Sequence, residues 1–402
     1  MTNSVDAAVL LSVLLGAATA GRLRAGGPAG ARAGGRGVTP FTALLGVTAL
    51  LYLNQVLFTV YILDVHGGDP SFVAQYLPTG WFHLADDTPV LRWLAAHFPA
   101  PFLLAPSVLR VQAFLELPFV LLAFATALRW LDATLYRRVF RSALLPLAAV
   151  AYTGVFCIVE WDLRNPYTVQ DIVVRACSAV ITPLLLAALA ARDPAAPDNP
   201  GPLSAVRLLV FIGSLGALGV LVLVVYDTAL LYNLGRLGAR TPLAAGAVAT
   251  LALLRLAAAR RPVGPTAGLA VTFIGHALRR WLVLFFVPAL TIRYGVTFGT
   301  PALAAGAAVL LAGTAAGWAL RDTLSAAREA HAWRPALVLP VQLGGAVLAG
   351  AAAAYAAAHG TTAAYYEVPL LQAASAFLGT AVAVCVGTDR AVARVRRAAT
   401  ER

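Results

Sequence analysis

Apolar runs of about 20 residues recur from one end of this chain to the other, and they limit what it can fold into. A helix of that length crosses the roughly 30 Å hydrocarbon core of a bilayer. Only 12% of the 402 residues are charged and 60% are hydrophobic. Soluble domains carry about 25% charge, so a soluble enzyme is excluded. In lipid every backbone N–H and C=O must find a partner within the protein, which leaves helices for segments of this kind. The expected fold is all-α: a polytopic integral membrane helix bundle, read as one transmembrane domain over residues 1–402. A multi-pass cell-membrane protein is expected, in a bacterial plasma membrane.

Eleven spans are predicted, at 5–21, 41–63, 104–128, 142–160, 172–191, 206–228, 242–259, 268–292, 300–320, 335–357 and 368–387. The first has the length of a signal-peptide core. Its only preceding charge is Asp6, however, and its arginines follow it, so it reads as a retained helix. The eighth contains His276, Arg279 and Arg280. A central Arg costs about 2.5–3.5 kcal/mol on insertion scales. A span at 281–299, with both arginines at its cytoplasmic edge, is therefore the competing reading.

The net charge is +12, and all 30 basic residues are Arg. They cluster between apolar runs, in the flexible basic loop 22–37, in 129–141, around Arg260 and Arg261, and in the basic tail 388–402. This is the pattern of topology signals rather than of a nucleic-acid surface, and no nucleic-acid partner is expected. Placed on one side together with the connections from Arg192 to Arg207 and from Arg321 to Arg334, these hold 20 arginines against seven opposite. The positive-inside rule then puts the N-terminus outside and the C-terminus in the cytoplasm. Trp81, Trp93, Trp130, Trp161, Trp318 and Trp333 fall at predicted span ends or in loops, where indole rings favour the interface. Cys157, Cys177 and Cys385 show no metal or disulfide spacing.

Acids do not follow the arginines. Ten of the 18 fall on the predicted outer side, with four of the six histidines. Many lie in one long structured outer loop, 65–103, or just before it: Asp64, His66, Asp69, His83, Asp86 and Asp87. Carboxylates and imidazoles are donors for a divalent cation, which makes His66 and His83 candidate ligands. The same carboxylates could act as bases at a lipid-facing cleft. Asp87-Thr88-Pro89 is a helix-start signal. The helix after it puts Leu91, Leu94 and Ala95 on one face, as expected of an interfacial helix. A second outer group is Glu160, Asp162 and Arg164, followed by Asp171 and Arg175, which are spaced to pair with each other.

Glu116 stands apart, inside LRVQAFLELPFVLLAF with Pro118 after it and Gln112 one turn before. A mid-span carboxylate is a functional-site hypothesis by default. Asn54, Gln55 and Asp227 are further polar residues in spans. Three readings stay open. The first is an outer-leaflet enzyme with transferase-type chemistry on a lipid-linked or isoprenoid substrate. It would use Asp64, Asp69, Asp86, Asp87, Glu116 and Glu160 for chemistry, and Arg92, Arg164, Gln112 and Asn54 for binding. The second is a secondary transporter with Glu116 as a proton or substrate relay. The third is a non-catalytic membrane scaffold component.

Overall fold

The computed structural model describes residues 2–25, 37–71, 84–85, 88–98, 104–164, 166–193, 204–230, 234–260, 268–329, 337–360 and 367–400. The described residues form helices and their connections. Ten of these helices are long and apolar enough to cross a membrane, and one bent pair makes an eleventh candidate. The protein is a multi-pass membrane helical bundle.

In order, the elements are α1 (Thr2–Ala25), α2 (Pro40–His66), α3 (Pro89–His97), α4 (Leu104–Leu131), α5 (Ala133–Phe140), α6 (Leu144–Leu163), α7 (Thr168–Arg192) and α8 (Ala205–Val225). Helix α8 runs on into a π-turn, Tyr226–Leu230. Then come α9 (Leu237–Arg260), α10 (Leu269–Phe285), α11 (Ala289–Phe298), α12 (Pro301–Glu329), α13 (Leu339–His359) and α14 (Glu367–Thr400). Helices α10 and α11 are the bent pair, turning by 67°. Arg279 and Arg280 thus lie on a helix that already begins at Leu269. Neither a straight span over 268–292 nor one starting at 281 describes this region.

Local chemistry sets the ends. Thr39 caps α2 by accepting from the Thr42 N–H, and Pro40 occupies its first turn. The helix stops at Gly67, whose φ of +59° suits a residue without Cβ. The cap of α3 is Thr88, whose hydroxyl accepts from the Leu91 N–H at 3.4 Å. Asp132 caps α5 through the Leu135 N–H at 2.9 Å.

Two compact units are distinguished. One comprises Met1–Asp198, Val224–Ala245 and Leu282–Leu311; the other comprises Asn199–Leu223, Gly246–Trp281 and Ala312–Arg402. Lipid tails are as apolar as leucine, so helix association inside a bilayer rests on close packing and hydrogen bonds. The first unit packs with large side chains: Tyr136, Tyr152, Phe58, Phe119 and Phe140 are fully buried. Helix α3 docks here, with Leu91 and Ala95 against Val60 and Leu237. Val90, Trp93 and Phe98 stay exposed.

The second unit packs with small residues. A Cβ on Gly350 of α13 would stand 2.9 Å from the Phe377 ring of α14, and one on Gly219 would stand 2.8 Å from Leu371. Asp389 of α14 caps α10 from outside that helix, accepting from the Val271 N–H at 3.3 Å and from Gln342 at 3.3 Å. Arg280 is neutralised by Asp322, with contacts of 2.6 and 3.1 Å.

Candidate functional site

A buried polar centre forms in the first unit around Glu116. This residue is 12 positions past the start of α4, so its Cα lies about 18 Å along that helix. It is 5% exposed. The Nη1 of Arg175 donates to its Oε2 at 2.7 Å. Arg175 sits seven residues into α7, roughly 10 Å from the helix start, and its long side chain reaches inward. Its guanidinium lies over the Phe156 ring of α6, 3.3 Å from the centroid. An aromatic face is one of the few apolar surfaces that favours a cation.

The other carboxylate oxygen accepts from the Tyr226 hydroxyl at 3.2 Å. The Tyr226 and Tyr152 hydroxyls approach to 3.5 Å. From α11, Arg293 lies over the Tyr226 ring at 4.4 Å, and Tyr294 packs edge-on against Phe156. Helices α4, α6, α7 and α11 and the π-turn therefore all contribute to one centre. A buried ion pair is costly to desolvate, and removing one partner typically costs 3–5 kcal/mol. The hydrogen bonds and ring contacts offset that cost here.

The helix interruptions explain several of the polar residues. Pro118 has no N–H, so the Phe114 carbonyl loses its donor in the helix. Ser178 of α7 supplies one at 2.7 Å. The π-turn likewise changes the hydrogen-bond register, and Gln112 Nε2 donates to the Ala229 carbonyl at 2.6 Å. The same nitrogen donates to Gln55 Oε1 at 3.1 Å. That fixes the orientation of both amides, since turning the Gln112 amide would set its oxygen against the Ala229 oxygen. Gln55 Nε2, Gln112 Oε1 and Arg175 Nε are then buried with no hydrogen-bond partner among the described residues. Within the same turn, Thr228 bonds the Tyr52 hydroxyl at 3.3 Å. Asp227 pairs with Arg236 and with Arg240, the latter at 3.2 Å.

Among the residues singled out by sequence, Glu116 and Gln112 lie in this centre, and Gln55 joins them. Asn54 is buried on α2. Glu160 is buried near the end of α6, where its backbone carbonyl accepts from the Thr168 hydroxyl at 3.5 Å. Asp64 is exposed at the end of α2, beside half-buried His66, whose ring meets Tyr61 edge-on. Asp69 is exposed and accepts from the Ser71 N–H at 2.9 Å, a local turn contact. Arg92 is exposed on α3. Arg164 is exposed with a positive φ of 43° and lies over Trp161. His83, Asp86 and Asp87 fall outside the described residues. Among the described residues, no three His, Cys, Asp or Glu side chains gather as a metal would require.

Tyr152, Tyr226, Tyr294 and Arg293 were not singled out by sequence. A usable signal existed for Tyr152, in the middle of the span 142–160; Tyr226 and Tyr294 fall at or beyond the ends of 206–228 and 268–292, where tyrosine is common. Comparison with protein families, curated proteins and solved structures finds no match.

Proposed function

We propose that this chain is a secondary transporter whose coupling centre is Glu116 with Arg175. The observation that carries this reading is the arrival of one bent span and of the π-turn that closes another at a single buried ion pair. Tyr226 comes from the π-turn that ends α8, and Arg293 and Tyr294 come from the short arm of the bent pair. Transporters build midplane sites from discontinuous helices, because freed backbone groups and inward side chains can then serve a substrate or coupling ion. The three buried polar atoms without a hydrogen-bond partner among the described residues support the same reading. Each such atom costs about 1–3 kcal/mol if nothing satisfies it, and a translocated solute would satisfy them in its bound state.

Glu116 is the relay in this scheme: protonation would release Arg175 and break the bond network that holds α4, α7 and the π-turn together. The test uses the full chain in proteoliposomes with an entrapped pH dye, challenged with a panel of solutes. A solute-dependent proton flux is expected in the wild type and is expected to vanish in Glu116→Gln. A solute flux that is unchanged in Glu116→Gln contradicts the relay role.

A further inference from the structure

We propose that the solute taken at this centre is a small monocarboxylate, bound on the free edge of Arg175 in exchange for Glu116; this rests on the transporter reading above. The geometry starts with a guanidinium that is only partly used. Arg175 is 8% exposed, and its Nη1 is committed to Glu116 Oε2. Its Nε is buried and has no hydrogen-bond partner among the described residues. A guanidinium offers its donors in a planar fork that matches the two oxygens of a carboxylate. Phe156 covers one face of that plane, so a ligand must approach along the edge.

Charge balance then decides what can bind. A second anion beside the intact Glu116–Arg175 pair would be buried next to a carboxylate that already holds Arg175, which is costly. If Glu116 takes up one proton, Arg175 becomes the unpaired charge, and a monoanion restores neutrality. The centre holds Glu116⁻ and Arg175⁺ before binding. Afterwards it holds neutral Glu116 and an Arg175–carboxylate pair. Proton and anion therefore bind together, one for one, and the net charge of the centre does not change.

The other groups facing the pair are the hydroxyls of Tyr152, Tyr226 and Tyr294, the Arg293 guanidinium, and, around Arg175, the Cys157 thiol and the Asp171 carboxyl one helical turn away. None of them shares both a hydrogen bond with Glu116 and a carboxyl proton. Linkage of one proton to one anion predicts that apparent affinity falls about tenfold per pH unit once Glu116 is ionised. Neutral polyols and cations gain nothing from this exchange.

The test measures ligand-induced stabilisation of the detergent-solubilised full chain at several pH values, using lactate, pyruvate and benzoate as probes, with mannitol and choline as controls. The wild type is expected to respond to a carboxylate, with apparent Kd rising about tenfold per pH unit toward alkaline buffer. Glutamine mimics protonated Glu116, so Glu116→Gln is expected to bind the same carboxylate with no pH dependence. Arg175→Gln is expected to bind none; should it fail to fold, the Glu116→Gln profile decides alone. No response to any carboxylate, or a wild-type affinity that is flat with pH, overturns the assignment. A response to mannitol or choline overturns it as well, while leaving the transporter reading standing.

Discussion

The two units of this bundle solve the same problem in opposite ways. Each must hold helices together where the hydrophobic effect offers no help. The second unit relies on shape: Gly350 meets the Phe377 ring, Gly219 meets Leu371, and its ion pair Arg280–Asp322, which is partly exposed, joins two helices. The first unit relies on polar bonds across several helices, from Ser178 to the Phe114 carbonyl, from Gln112 to Ala229, and from Arg175 and Tyr226 to Glu116. In the polar centre of the first unit, three buried polar atoms, Gln55 Nε2, Gln112 Oε1 and Arg175 Nε, gather with no hydrogen-bond partner among the described residues. The difference is one of means: shape in one unit, converging polar side chains in the other.

The contrast can be broken most strongly at the ion pair. Arg175→Met should destabilise the solubilised protein by about 3–5 kcal/mol, because it leaves Glu116 buried without its cation. Combining it with Glu116→Leu should recover most of that loss, as read from denaturation of the single and double variants. Full additivity of the two losses would mean that the pair is not coupled. Gly350→Ala comes next. Its Cβ would press on the Phe377 ring at 2.9 Å and on the Phe377 carbonyl at 3.1 Å, and overpacking of this kind costs about 1–3 kcal/mol. Hydrogen exchange should show the loss in α13 and α14.

Ser178→Ala should cost about 1 kcal/mol, within the range seen for hydrogen bonds between membrane helices. It should sharpen the assignment of that bond to Pro118, because restoring an N–H with Pro118→Ala should remove the sensitivity. The smallest effect belongs to Tyr136 on α5. Burial pushes its phenol pKa up, and its hydroxyl has no hydrogen-bond partner among the described residues. Tyr136→Phe should raise stability by up to about 1 kcal/mol near neutral pH, because it removes a buried hydroxyl that no described residue satisfies. Because only the unfolded chain ionises this phenol near its ordinary pKa of about 10, the wild type should lose stability relative to Tyr136→Phe above that pH.

Scarcity made half of the centre legible in advance. Glu116 and Gln112 stand out in LRVQAFLELPFVLLAF because Arg110, at its start, is the only other polar residue there. Their partners do not stand out. Arg175 is 59 residues away from Glu116 and has Asp171 at helix-pairing distance in sequence, which gives it a local explanation. Ser178 looks like an ordinary small residue until Pro118 is seen to need it. The π-turn leaves no periodicity signal in YDTAL, so the role of Gln112 could not be read from α4 alone. The arginine pattern and the apolar runs, by contrast, repeat many times along the chain. The repetition made the helical membrane fold readable, while the site depends on single residues brought together once.

A centre that moves a solute must open to each side of the membrane in turn, whereas a packing contact need not open at all. The direct measurement places a single cysteine at Gln112 in a background lacking Cys157, Cys177 and Cys385, with a second protein carrying its cysteine at buried Ala346 of α13. Each is treated with a membrane-impermeant maleimide in right-side-out and in inverted vesicles. The account predicts labelling at position 112 from both sides and at position 346 from neither. Protection of position 112 from both sides would contradict it.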